Sequence, residues 1–221
     1  MRESFKNVRN SLRRIVPWAF VLGKGLTLIY SSRSFLREAG YFRSVAEKRP
    51  VRVDGSPIPW MNYNAISFLE ERLTPDLTIY EYGSGNSTLF FASRTQSVIA
   101  IECDRGWYDY VKDSMPSNVE IIYRESGDPT YSTAIAEHQQ KFDVVIVDAD
   151  ERIACLHNCI DSLSERGVAI LDDAQRDRYQ LGCAEMRDRG FRELRLEGLK
   201  AGGIRSYRTS VFYRDGNCLG I

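Results

Sequence analysis

Two residue types that often build metal and disulfide sites are sparse in this 221-residue chain, which has two histidines and five cysteines. The cysteines are odd in number and scattered, which argues against a disulfide framework and for a reducing, cytoplasmic environment. The tightest set is Cys155, His157 and Cys159. On a helix the two cysteines share one face and the histidine points elsewhere, so no tetrahedral zinc set forms locally. We expect buried thiols there.

A long hydrophobic run is also missing. The most apolar segment, residues 15–30, includes Lys24 and two glycines. A membrane-spanning helix needs about 20 predominantly apolar residues. No small-residue cleavage site follows the segment, so a secretory signal is not indicated. A spanning anchor stays open as an alternative, but the pattern favours an amphipathic segment that packs on the domain or lies on a membrane surface.

The chain has no net charge, yet its charges are unevenly distributed. Residues 1–52 contain 12 Lys/Arg and 3 Asp/Glu, whereas residues 53–221 contain 18 and 27. This predicts a basic helical extension, residues 1–52, on an acidic domain, residues 53–221. The extension either docks on an anionic surface, such as a membrane or the domain itself, or is simply solvated. We expect no nucleic-acid partner, and the oligomeric state is not indicated.

Apolar runs alternate with helix-like stretches from residue 77 onward, without any internal repeat. The predicted strands are residues 77–82, 97–102, 119–124, 142–148, 167–172, 191–199 and 208–214. The predicted helices are residues 62–73, 86–94, 107–114, 131–139, 151–164 and 174–189. Continuous apolar strands separated by helices indicate a parallel sheet covered on both faces. The last two strands have no room for a crossover helix, so they form an antiparallel pair. The prediction is a Rossmann-like, doubly wound α/β fold of seven strands, mostly parallel, with a C-terminal β-hairpin.

The first βα loop carries the most informative motif, "EYGSGNST", residues 81–88. Gly83 and Gly85 can adopt positive φ and let a ligand approach the backbone, while Asn86 and Ser87 can cap the following helix. The second strand ends in Glu102, whose carboxylate can accept hydrogen bonds from both hydroxyls of a ribose. Ligands of such sheets bind at the carboxyl ends of the strands. The loop and the carboxylate together predict a pocket for a nucleoside-containing cofactor.

The same loop argues against a dinucleotide. The dinucleotide fingerprint needs a third glycine where this sequence has Thr88. Glu81, just before the loop, places a carboxylate beside the site, which disfavours a pyrophosphate and favours a cationic group such as a sulfonium.

These motifs resemble those of the class I S-adenosylmethionine-dependent methyltransferases, over about three quarters of the chain from Pro59 onward. "YEYGSGNST" resembles their first motif, "IECD" the end of their ribose-binding strand, and "VDAD" and "GVAILDD" their fourth and fifth motifs. Within that superfamily the chain is similar to a bacterial branch and, more distantly, to plant glucuronoxylan methyltransferases. The resemblance implies S-adenosyl-L-methionine as cofactor. The implied contacts are Glu81, Gly83, Ser84, Gly85 and Glu102, with Ser126 facing the adenine. We also predict cofactor contacts for Asn86 and Ser87 of the same loop.

Acidic residues follow the fourth and fifth strands, and we predict Asp148, Asp172 and Asp173 as catalytic residues, with Asp150 nearby. Methyl transfer needs an aligned acceptor from which a proton is often removed. Three carboxylates at one sheet edge could also hold Mg²⁺, as a comparable set does in catechol-type O-methyltransferases. The Asp172-Asp173 pair departs from that pattern, however. Helix caps and a salt bridge from Asp148 to Arg152 explain the carboxylates without metal, and we favour that interpretation.

The sequence as a whole predicts a methyltransferase that acts on an oxygen of a small molecule or saccharide. An aminopropyltransferase-like enzyme of the same fold is one alternative. A second alternative is a catalytically silent protein of this fold that serves as a partner or assembly factor. The identity of the methyl acceptor is not encoded in any motif that we recognise.

Overall fold

The computed structural model describes residues 16–125 and 127–221, and its first elements are three helices of the predicted extension. They are α1 (Pro17–Tyr30), α2 (Phe35–Glu38) and α3 (Tyr41–Glu47). Proline at the first position of α1 suits a helix start, because its missing N–H would have no partner there. The Ser34 hydroxyl caps α2 by accepting a hydrogen bond from the backbone N–H of Arg37 at 3.3 Å.

Seven strands and five further helices make up the rest of the described chain. They run α4 (Tyr63–Arg72), β1 (Thr78–Tyr82), α5 (Asn86–Ala92), β2 (Ser97–Glu102), α6 (Arg105–Val111), β3 (Val119–Tyr123), β4 (Phe142–Val147), α7 (Arg152–Asn158), β5 (Leu163–Leu171), α8 (Gln180–Asp188), β6 (Arg192–Gly198) and β7 (Tyr207–Tyr213). The strand order in the sheet is β3-β2-β1-β4-β5-β7-β6. Strands β1 to β5 pair in parallel, and β7 pairs antiparallel with both β5 and β6. The predicted α/β class, strand number and antiparallel terminal pair are confirmed.

The sheet is buried on both faces, as continuous apolar strands require. Along β1, Ile79 belongs to one core cluster and Tyr80 to the other, because successive side chains point to opposite faces. The strand order reverses between β1 and β4, which are hydrogen-bonded neighbours. The carboxyl ends of β1, β2, β4 and β5 therefore surround one crevice, where ligands of this architecture bind.

Three predicted helices are wrong in extent. The one predicted over residues 151–164 ends at Asn158, and β5 already begins at Leu163. Instead of a helix over residues 131–139 there is a short 3₁₀ turn, Ala134–Glu137. Before it the Asp128 carboxylate accepts hydrogen bonds from the backbone and hydroxyl of Thr130, a local turn that competes with a helix. The predicted helix over residues 174–189 is split into a 3₁₀ turn, Asp177–Tyr179, and α8. The helix does not begin at residue 174, because the Ala174 N–H donates instead to the carbonyl of Arg208 in β7 at 2.8 Å.

The later part of the extension packs on the sheet domain. The Tyr41 hydroxyl donates to the Gly203 carbonyl at 3.0 Å, and the ring of Phe35 meets that of Tyr63 edge-on at 5.5 Å. The buried Ser44 hydroxyl donates to the carbonyl of Val51 and accepts from its N–H. Phe35 and Tyr41 thus join the extension to the acidic domain, and the domain boundary at residue 52 remains a prediction. Across the described ranges, no helix is both long and apolar enough to cross a membrane.

Candidate functional site

The glycine loop lies where the carboxyl ends of β1 and β4 meet. Gly83 has φ +112°, and its N–H donates to the Ile101 carbonyl at 2.9 Å. A Cβ at this position would lie 2.9 Å from the backbone oxygen of Asp148. Gly85 has φ +145°, and a Cβ there would lie 3.4 Å from the Trp107 ring. The positive φ angles favour glycine at both positions, and at position 83 the close approach to Asp148 excludes a Cβ as well.

Glu81 holds this loop from beneath. Its side chain is 1% exposed and accepts hydrogen bonds from the hydroxyls of Ser87 and Thr88, the second at 2.6 Å. The Thr88 hydroxyl in turn accepts the N–H of Gly85 at 2.9 Å, which closes the turn into α5. Thr88, where a dinucleotide site has glycine, therefore shapes the loop.

The negative charge predicted at Glu81 is largely absent at neutral pH. Burial raises the pKa of this carboxyl to about 8, although the hydroxyls of Ser87 and Thr88 act in the opposite direction. The carboxyl is a neutral hydrogen-bond partner inside the loop. The sequence did not reveal that this side chain is buried, and the cationic ligand inferred from its charge stays a prediction.

This burial predicts how stability changes with pH. The ordinary pKa of a glutamate is 4.5, so between about pH 5 and about pH 8 the folded state keeps a proton that the unfolded state has lost. The free energy of unfolding should therefore fall as the pH rises through this window. Glu81→Gln should flatten the slope, and urea denaturation at several pH values measures both. Parallel pH profiles for parent and variant would contradict a protonated Glu81.

Glu102 stands at the end of β2 with its carboxylate fixed by the backbone. One oxygen accepts the N–H groups of Cys103 and Asp104 at 2.8 and 2.9 Å. The other accepts the Ser84 hydroxyl at 2.6 Å, so this residue is tied directly to the glycine loop. A carboxylate oriented in this way can accept further hydrogen bonds from a diol that enters the crevice.

Two adjacent cavities adjoin the loop. The first, which we call the loop cavity, measures about 220 Å³ and is lined by Gly83, Ser84, Glu102, Cys103, Trp107, Tyr131, Asp148, Ala149, Asp150 and Arg152. The second, the outer cleft, measures about 570 Å³ and lies between the loop, α6 and residues 47–50 of the extension. The cavities share Ser84, Trp107 and Asp148 as walls. Together they offer room for a ligand of cofactor size.

The predicted cofactor contacts divide between these cavities. Gly83, Ser84 and Glu102 line the loop cavity, whereas Ser84, Gly85, Asn86 and Ser87 line the outer cleft. The Asn86 side chain donates to the Pro50 carbonyl at 2.6 Å and so fixes the extension to the cleft. Glu81 lies behind the loop, and Ser126 falls outside the described residues.

The predicted catalytic carboxylates come together around the guanidinium of Arg152. Asp148 accepts a hydrogen bond from it, which confirms the predicted salt bridge, and the backbone carbonyl of Asp172 accepts another at 2.6 Å. The Asp173 carboxylate lies 3.6 Å from the same group. Asp148 lines both cavities, whereas Asp172 and Asp173 are almost fully buried. Only Asp148 of the three is placed to touch a ligand in these cavities.

The two buried aspartates differ in charge. Burial and then the charge of Asp148 raise the pKa of Asp172 to about 7, while the Thr209 hydroxyl donates to it at 2.7 Å. Burial acts in the same direction on Asp173, yet its pKa is lowered because Lys200, Arg152 and Arg176 surround it. A divalent ion at Asp173 would have to displace these three cations. Among the described residues, no group of three or more His, Cys, Asp or Glu side chains is arranged so that it could hold a metal ion.

Three features of the site were missed at the sequence level. Arg152 was recognised only as the partner of Asp148, whereas it also binds the end of β5. The Trp107 indole donates to the Ser84 carbonyl at 3.0 Å and walls both cavities. Residues 47–50 of the extension form one side of the outer cleft. No local pattern signals these contacts, because each joins segments far apart in the sequence.

The architecture is shared with solved structures at low sequence identity. A methyltransferase from Pyrococcus furiosus superposes with a TM-score of 0.52 over 83% of this chain and 95% of its own, at 14% identity. Precorrin-6y C5,15-methyltransferase from Geobacter metallireducens gives 0.50 over 68% and 88%, also at 14% identity. The chain has the class I S-adenosylmethionine-dependent methyltransferase fold.

The same fold also appears with another activity. Spermidine synthase from Thermotoga maritima gives a TM-score of 0.51 at 14% identity, covering 67% of this chain and 56% of that one. No protein-family model and no curated protein matches the sequence. The fold is therefore established by structure, and the reaction has to be argued from the site.

Proposed function

We propose that this protein transfers the methyl group of S-adenosyl-L-methionine to an oxygen of a small-molecule or saccharide acceptor. The observation that carries the proposal is the pairing of Glu102 with the glycine loop. The Glu102 carboxylate is held by two backbone N–H groups and by Ser84, and it lines the same cavity as Gly83 and Asp148. The carboxylate that would bind the ribose and the glycine that lets a ligand approach the backbone therefore line the same cavity.

The residues present fit this cofactor. Glu102 would accept the ribose hydroxyls, and the bare backbone at Gly83 and Gly85 leaves space for the amino-acid portion. The Trp107 ring offers an apolar wall beside the loop. When bound, the cofactor supplies an activated methyl group on a sulfonium. The protein's task is to position an acceptor in line with that group.

The acceptor would enter beside the ends of β4 and β5. A pocket of about 310 Å³ there is lined by residues 150–154 with Arg178 and Tyr179, and it shares Asp150 and Arg152 with the loop cavity. Arg178 donates to the Tyr179 hydroxyl at 2.7 Å. Asp148, held in place by Arg152, would accept the hydrogen bond of an acceptor hydroxyl and take up its proton. The pocket lining carries two acidic and two basic side chains, Asp150, Glu151, Arg152 and Arg178, so it suits an acceptor without a large net charge.

Asp148→Asn tests this assignment. The variant keeps an oxygen that Arg152 can bind, but it cannot take up a proton, so turnover should fall by about a hundredfold or more. Affinity for S-adenosylmethionine should change little. The assay is transfer of labelled methyl to a panel of saccharides and small hydroxyl compounds. Asp161→Asn, an exposed aspartate just before β5, is the matched control and should behave like the parent.

The outcomes separate the chemical alternatives. Activity that survives exhaustive chelation with EDTA supports proton transfer without metal, as we favour, whereas loss restored by Mg²⁺ supports the metal alternative. Cofactor binding without transfer to any hydroxyl compound would contradict the proposed acceptor class.

Two alternative functions can be distinguished from methyl transfer by the cofactor that the protein binds. An aminopropyltransferase would use decarboxylated S-adenosylmethionine with a polyamine, so binding of these two compounds instead of S-adenosylmethionine would identify it. A catalytically silent protein of this fold, serving as a partner, would bind neither cofactor. The intact set of Gly83, Gly85 and Glu102 favours a working cofactor site over a silent one.

A further inference from the structure

Helix α1 carries a broad apolar surface with no residue of the helix buried. Its exposed large apolar side chains are Trp18, Val21, Leu22, Leu26, Leu28, Ile29 and Tyr30. At 100° per residue these seven fall within an arc of about 200°, whereas Gly23, Lys24 and Thr27, together with the half-buried Phe20, fall on the remaining part of the helix surface. Trp18 is 68% exposed and Leu22 57%, so this side is not covered by the described part of the chain. Contiguous apolar surface of this kind marks an interaction site.

The chain on either side of α1 is strongly basic. Residues 1–16 contain five Lys/Arg and one Asp/Glu, and residues 31–52 contain six and two. Just after the helix, Arg33 is exposed, and Arg37 caps the helix end by donating to the Ile29 carbonyl at 3.1 Å. Apolar side chains flanked by cations, with Trp and Tyr near the helix ends, suit the boundary between anionic headgroups and acyl chains.

We propose that α1 docks this protein peripherally on an anionic lipid bilayer, with the Trp18–Leu22–Ile29 side inserted at the headgroup boundary. The helix has 14 residues, about 21 Å at 1.5 Å per residue, which is shorter than the bilayer core of about 30 Å. It therefore lies along the interface. Pairing of α1 with a second copy is disfavoured, because two basic segments would be brought together. This inference does not depend on the proposed methyl transfer.

Sedimentation of the full chain with vesicles tests the docking. The protein should sediment with vesicles of equal parts phosphatidylglycerol and phosphatidylcholine, and much less with phosphatidylcholine alone. Binding should weaken as salt is added, because the attraction between surface charges is screened. Leu22→Glu should lower the bound fraction by about tenfold or more, since it replaces an inserted apolar side chain by a charge. Thr27→Glu adds the same charge on the opposite side and should lower binding far less.

The side chains of Leu22 and Thr27 make no hydrogen bond outside α1 among those described, so neither change should disturb the sheet, and circular dichroism checks this. Equal loss of binding in the two variants would overturn the proposed orientation of α1. Equal binding to both vesicle types would overturn the anionic surface as the partner. A dimer in lipid-free solution that Leu22→Glu dissociates would show that a second copy covers the helix, and would also overturn the proposal.

Discussion

Gly83→Val should reduce affinity for S-adenosylmethionine by about a hundredfold or more, while leaving the protein folded. Gly83 has φ +112°, a conformation that a β-branched residue reaches only with strain. Its new Cβ would lie 2.9 Å from the Asp148 backbone oxygen, so the ends of β1 and β4 would be pushed apart. The remaining methyl groups would occupy the loop cavity. Titration calorimetry with the cofactor measures the effect, and thermal denaturation reports the fold.

Gly190→Val is the matched control for backbone strain. Gly190 also has a positive φ, +85°, but nothing lies within 4 Å of a Cβ at this position, and it follows α8 far from the loop in sequence. This variant should lose stability without losing cofactor affinity. If both variants bind the cofactor as the parent does, the loop is not the cofactor site.

Arg152→Met should lower the free energy of unfolding by about 3–5 kcal/mol, the usual range for removing one member of a buried ion pair. The Arg152 side chain is 10% exposed and lies between Asp148 and Asp173, and it also binds the carbonyls of Ala149 and Asp172. Methionine fills a similar volume but leaves Asp148 and the carbonyls of Ala149 and Asp172 without the hydrogen bonds that Arg152 donates. Urea denaturation at neutral pH measures the loss.

Arg176→Met is the control, because it removes an exposed arginine that pairs with the same aspartate as the buried Arg152. Arg176 also pairs with Asp173, but its side chain is 44% exposed, and Lys200 at 3.1 Å remains to neutralise the aspartate. A partly exposed pair contributes about 1 kcal/mol or less. A loss at Arg152 no larger than that at Arg176 would contradict the role of Arg152 as the group that joins β4 to β5.

The sheet was predictable because its evidence is local. The continuous apolar runs reveal strands buried on both faces, and the short connection before residue 208 leaves only an antiparallel pair. The glycine loop was predictable for the same reason, since its residues lie side by side in the chain. The insertion of β7 between β5 and β6 was not predicted, because hairpin spacing does not tell which strand joins the existing edge.

The electrostatics of the site depended on burial that the sequence does not show. Glu81 was interpreted as a charge near the ligand, yet it is enclosed beneath the loop with its pKa raised to about 8 by that burial. Asp148, Asp172 and Asp173 were predicted as equivalent, but Asp148 alone lines the cavities. The position of Asp148 depends on Arg152, which binds both the Asp148 carboxylate after β4 and the Asp172 carbonyl after β5. The sequence does not reveal this contact, because the two strands are separated in the chain.

Cofactor titration of the parent and of Glu102→Ala tests the central claim most directly. The parent should bind S-adenosylmethionine and S-adenosylhomocysteine with dissociation constants on the order of micromolar. Glu102→Ala should weaken both by at least about tenfold, because the ribose hydroxyls lose a carboxylate that the backbone of residues 103 and 104 holds in place. No measurable binding by the folded parent, or equal affinity in parent and variant, would contradict the assignment of this crevice as the methyl-donor site.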